Sequence, residues 1–107
     1  MNKVKICGVP YIIARVTNKW AVDHDGQPEG LWGQISYAKH SIRFLASSPE
    51  QELRTVLHEL LHGIIEGNDI RELKAENGSH FEAPINQLAG GLAEALESLG
   101  FKLPAFK

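Results

Sequence analysis

Ser48-Pro49-Glu50-Gln51-Glu52-Leu53-Arg54-Thr55-Val56-Leu57-His58-Glu59-Leu60-Leu61-His62-Gly63-Ile64-Ile65-Glu66-Gly67 is the most strongly patterned stretch of the chain. It opens as a helix does, with serine at the N-cap, proline at the first helical position and Gln51 placed to complete a capping box. Leu53, Val56, Leu57, Leu60, Leu61 and Ile64 then recur at helical spacing as a core-facing stripe, and Gly67 is a natural stop. On the border of that stripe lies His58-Glu59-Leu60-Leu61-His62, an HExxH pattern. On a helix, residues i and i+4 share a face, so two imidazoles can grip one ion. Glu59, beside the first of them, is placed to take a proton from an attacking water and return it to a leaving amine.

Outward from this helix, the N-terminal half reads as strands. Val4 and Ile6 alternate with Lys3 and Lys5, and Tyr11 to Val16 forms a β-rich run after a break at Gly8-Val9-Pro10, which makes a hairpin. Thr17 to Gly30 collects turn formers and reads as a long loop, suited to act as a flap. A second hairpin follows: Gly33, Ile35 and Tyr37 alternate with Trp32, Gln34 and Ser36, and Ile42 and Phe44 alternate with Ser41 and Arg43 across a turn near Lys39-His40. After a polar stretch from Gly67 to Ser79, the residues Ile85, Leu88, Ala89, Leu92, Ala93, Leu96 and Leu99 trace a closing amphipathic helix, ended by Gly100. The expected fold is α+β, a small antiparallel sheet of three to four strands packed on the HExxH helix and a C-terminal helix, with residues 1–107 as one domain.

A catalytic zinc takes three protein ligands and a water, so two histidines are not enough. Glu82 is the leading third candidate. It extends the last helix's stripe backwards, which aims a carboxylate at the core, where an unpaired charge is costly and a cation would relieve it. Ser79-His80-Phe81-Glu82 also reads as a capping box, in which Glu82 would serve its own helix end. His80 and Glu66 are the rival third ligands.

The 107 residues, 43% hydrophobic and 22% charged, are those of an ordinary globular protein. A net charge of −2 without a Lys/Arg run argues against nucleic acid as the main partner. The start of the chain alternates charged and apolar residues, and no stretch approaches the roughly 18 apolar residues of a membrane span, so a cytoplasmic protein with no membrane association is expected. The single cysteine, Cys7, agrees with a reducing compartment and reads as a small apolar residue at a strand end. Asp23-His24-Asp25-Gly26 lacks the further carboxylates of a calcium loop and reads as a turn, with His24 and His40 solvated. Gly90-Gly91 inside a helix suggests close packing against the HExxH helix. Trp20 and Trp32 fit either the core or a cleft.

The phrasing Gly33-Gln34-Ile35, Ser41-Ile42-Arg43-Phe44, Arg54 to Ile64 with the HExxH at its centre, and Glu82-Ala83-Pro84-Ile85-Asn86-Gln87-Leu88-Ala89-Gly90-Gly91-Leu92 resembles the small phage and prophage zincin-like proteins related to the ImmA/IrrE metallopeptidases, over about residues 30 to 98. That resemblance implies a small antiparallel sheet beside the HExxH helix, with a glutamate on a following helix as third zinc ligand, where Glu82 stands. It implies zinc-dependent hydrolysis of a protein or peptide substrate, with Glu59 as general base and His58, His62 and Glu82 as ligands. A substrate strand is expected to add to the sheet at residues 42 to 45, with the loop from 17 to 30 as lid. The expectation from another class is a metal-stabilised interaction module without activity, since a chain this short has little protein to spare for walling a cleft. A third is a metal-free scaffold.

Overall fold

The alternation in the first half and the 3.6-residue period in the second are both realised in a computed structural model that describes residues 2–17 and 32–106. The elements are β1 (Lys3–Ile6), β2 (Val9–Val16), β3 (Gly33–Ser36), β4 (Ser41–Leu45), α1 (Pro49–Asn68), a single 3-10 turn (Arg71–Leu73) and α2 (Glu82–Ser98). The loop expected from Thr17 to Gly30, with Trp20 and His24, lies outside the described residues but for Thr17. No described helix is long and apolar enough to cross a membrane.

β1 and β2 form the expected hairpin, closed by the two residues Cys7 and Gly8, both at positive φ (51° and 82°). Such a turn matches the twist of the flanking strands and favours glycine. Cys7 is therefore exposed in a turn, where a small apolar residue at a strand end was expected.

β3 and β4 also pair as expected, but the sheet is mixed, not antiparallel. Its order is β1-β2-β4-β3, and β4 runs parallel to β2 with Ile13 opposite Ile42 and Arg15 opposite Phe44. The burial explains the order. Ile42 and Phe44 are wholly buried, so the most apolar strand takes an interior place, while the half-polar β3 goes to the edge. One sheet face holds Ile6, Tyr11, Ile13, Ile42 and Phe44, which pack with Val56 of α1 as the core. The C-terminal segment returns over this core, with the Phe106 ring edge-on to Phe44 at 5.7 Å.

α1 begins at Pro49, with the Ser48 hydroxyl accepting from the Gln51 N–H at 3.2 Å. The Gln51 side chain turns forward to Thr55, so only half of the capping box forms. The helix runs past Gly67 to Asn68 and is stopped by Asp69 in the left-handed region (φ 49°). Gly67 serves a different purpose, since a Cβ there would lie 2.6 Å from the Cys7 sulfur. The stripe is turned slightly from the expected one: Ile65 is buried and Ile64 exposed.

α2 packs on α1 and buries Ile85, Ala89 and Ala93. Leu88, Leu92 and Leu99, expected in the core, are exposed, because the buried face follows the small residues. The close packing expected of Gly90-Gly91 is absent: a Cβ on Gly90 would make an ordinary contact at 3.9 Å with the Arg54 side chain of α1, and one on Gly91 would meet nothing within 4 Å.

The edge strand presses on α1 at Gly33, where a Cβ would fall 2.6 Å from the Thr55 methyl and 3.2 Å from Glu59 Cγ. Thr55 cannot yield freely, because its hydroxyl donates to the Gln51 carbonyl at 2.8 Å and its β-branch is stiff. Gly33→Ala is expected to cost about 1–3 kcal/mol, measured as a lower urea midpoint at unchanged slope.

Arg15 on β2 holds Glu52 of α1 through two hydrogen bonds of 3.0 Å, and the Ser47 N–H adds a third at 3.1 Å. Burial pushes the Glu52 carboxyl up, but these donors outweigh it and hold the group below its ordinary value of 4.5. The unfolded chain therefore takes up this proton first on acidification. The stabilisation is complete above pH 4.5 and is lost as pH falls through the folded value. In Glu52→Gln the fall of the urea midpoint between about pH 5 and about pH 3 should be shallower than in the unsubstituted protein.

Candidate metal centre

His58 and His62 lie one turn apart on α1 and turn their Nε2 atoms toward each other, 3.1 Å apart. Glu82, the first residue of α2, reaches both: Oε1 is 3.1 Å from His58 Nε2 and Oε2 is 3.2 Å from His62 Nε2. The two residues of the HExxH pattern and the leading third candidate thus meet as one group able to hold a metal ion. Zinc bonds of about 2.0–2.1 Å at tetrahedral angles place donors about 3.3 Å apart, so the triangle has nearly the size that such an ion requires.

Glu82 arrives there for a reason other than the one expected. Its side chain is 58% exposed, so no burial cost compels a partner. It shares a helix face with Ile85 and Ala89, and because it stands at the first position of α2 it projects beyond the packed interface to the rim of a cleft. The capping box at Ser79 does not form. The N-cap is Phe81, and Ser79 donates to Asn77 instead. At the helix start, Glu82 is also favoured by the dipole.

Glu59 follows His58 but faces inward and is 7% exposed, beneath the edge strand at Gly33. Burial first, and the Glu82 charge second, push its carboxyl up to about 8. Burial likewise lowers His62, against the opposing pull of Glu82. A cation between the imidazoles would favour the ionised Glu59. Gly33, Gln34, Ile35 and Tyr37 of β3 and its turn wall one side of a cleft of about 320 Å³ that has His58, Glu59, His62 and Glu82 on the other, with no lysine or arginine among them. The donor set and the uncompensated carboxylates both fit a divalent cation.

The rival ligands stand behind His62. His80 Nδ1 is 2.7 Å from His62 Nδ1, and His80 Nε2 is 3.0 Å from Glu66 Oε1. Hydrogen bonding from His80 first, then from Lys74, holds the Glu66 carboxyl below its ordinary value despite partial desolvation. His40 is in the β3–β4 turn near Tyr11, away from this group. Trp32 is exposed and lines a neighbouring pocket with Arg54, His58, Glu59 and Asn86.

Tyr37 is a cleft residue that the sequence reading used only as a hairpin marker. Its hydroxyl donates to the His62 carbonyl at 3.4 Å, and burial raises its pKa. The signal was available in its parity, since Gly33, Ile35 and Tyr37 fall on one side.

No protein-family model, curated protein or solved structure matches the chain.

Purified protein is expected to take up about one equivalent of zinc with a rise in thermal midpoint that a chelator reverses. His62→Ala should abolish the uptake and Glu82→Gln weaken it. Undiminished binding in both variants would place the ion elsewhere.

Proposed function

We propose that the protein is a zinc-dependent metallohydrolase, a peptidase of the ImmA/IrrE-like zincin type. The observation that carries this reading is the triangle of His58, His62 and Glu82 with the buried Glu59 beside it in one cleft. Zinc, when bound, polarises a scissile carbonyl and acidifies the attacking water toward about pKa 7. Glu59 accepts the water proton and delivers it to the leaving amine. Its burial withholds competing water and keeps the proton on the reaction path.

The substrate backbone is placed by β3. The expected docking strand, residues 42 to 45, is interior, with both edges taken by β2 and β3. β3 is the outer strand among the described residues and lies next to the cleft, so its outer edge is the surface to which an extended peptide can add. Tyr37, at the end of that edge, remains protonated, and by turning its hydroxyl away from the His62 carbonyl it can donate to the carbonyl oxygen of the bond being cut.

One observation favours the second reading, a metal-stapled interaction module without activity. Glu82 offers one oxygen to each histidine, an arrangement that two-oxygen ligation would turn into a closed site. Hydrolysis separates the two readings. Zinc-loaded protein should cleave unstructured peptides, and Glu59→Gln should keep its zinc while losing turnover by at least about 100-fold. Zinc-bound protein without cleavage would leave the staple, and cleavage by Glu59→Gln would refute the assigned base.

A further inference from the structure

We propose that Glu66 and His80 are positioning residues that fix the tautomer of His62 and thereby set the affinity of the site. The inference rests on the metal reading above and concerns the residues behind the ligands.

The protons order themselves along the chain Glu66, His80, His62. An ionised carboxylate only accepts, so His80 Nε2, 3.0 Å from Glu66 Oε1, carries the hydrogen. A neutral imidazole has one N–H, so His80 Nδ1 is then a lone pair. That lone pair is 2.7 Å from His62 Nδ1, which must therefore be the donor. His62 Nε2 is left as a lone pair, directed at the point shared with His58 and Glu82.

The ring geometry fits a bond in the ring plane and not a stack. The His62 and His80 centroids are 4.9 Å apart with planes 22° from parallel. A straight contact, with each nitrogen about 1.2 Å from its ring centre, gives about 5 Å at this N···N distance. The centres and the two nitrogens are thus nearly in line.

The support is anchored. The His80 side chain is 5% exposed, and its backbone is held by a β-bridge to Lys74. Lys74 Nζ reaches Glu66 at 3.3 Å and Asp69 at 2.9 Å, which fixes the carboxylate that starts the sequence of protons. Asp69 is the left-handed residue that ends α1, so the helix stop and the tautomer share one anchor.

Zinc affinity by chelator competition and side-chain nitrogen NMR test this together. Glu66→Ala and His80→Ala are expected to weaken zinc binding by about 10- to 100-fold, the usual effect of losing such a partner. His80→Asn should restore most of the loss, since its amide oxygen can stand where His80 Nδ1 accepts. The NMR should show His62 protonated at Nδ1 and His80 at Nε2. Glu66 is at the surface, so Glu66→Ala reads the effect even if His80→Ala melts at lower temperature. Wild-type affinity in Glu66→Ala and in folded His80→Ala, or a hydrogen on His80 Nδ1, overturns the proposal while leaving the zinc site standing. Wild-type protein that takes up no zinc overturns both.

Discussion

Two imidazoles on one helix and a carboxylate from the next converge within 3.2 Å of one another, and the rest of the described structure is arranged so that this convergence is possible. α1 has to serve three neighbours at once: the sheet, α2 and the cleft. It meets the sheet through Val56, Gly63 and Gly67, and the glycines let the chain come close where a side chain would collide with Ile6, Ile35 or Cys7. On β3 the same device appears at Gly33, which brings the edge strand down onto Thr55 and Glu59. The missing side chains along this seam place the outer strand of the described sheet beside the histidine pair.

The seam also creates the electrostatic problem that defines the site. Closing β3 over Glu59 removes a carboxylate from water, and the charge of another carboxylate, Glu82, opposes its ionisation further. Elsewhere in the fold the same kind of burial is compensated at once, as at Glu52, which receives Arg15. The contrast between the two glutamates is informative because both lie on α1 and both are nearly buried. Glu52 makes a direct ion pair with its cation, whereas Glu59 faces a cleft with no lysine or arginine among its described lining residues.

The sequence made some of this legible and hid the rest for physical reasons. Period and capping are local properties, so the start of α1, the HExxH face and the two hairpins could be read from neighbouring residues. Strand order is not local: nothing in the alternation of Ser41 to Leu45 says which strand lies beside it, and the parallel pairing with β2 follows from a competition for the interior that Ile42 and Phe44 win. Gly67 and Asp69 show the same limit. Both are plausible helix ends, and the choice was made by a turn sixty residues earlier that needed the glycine for approach. Glu82 does lie beside the two histidines, but the argument from burial that pointed to it is contradicted by its exposure. What placed it was its position as the first residue of α2.

If the histidine pair holds an ion as proposed, helix geometry requires that a third donor come from another element. Along α1, His58, His62 and Glu66 share one face at successive turns, each step rising about 6 Å, so Glu66 lies about 12 Å from His58 along the axis. No ion with bonds near 2 Å can touch both. The third member of the face can therefore act only from behind, on the side of His62 away from His58, where His80 and Glu66 are found. The position left open in front must be filled by a residue that approaches across the helix. The first turn of α2 supplies it, since Ile85 and Ala89 lock the rest of that helix against α1 and leave Glu82 overhanging the pair.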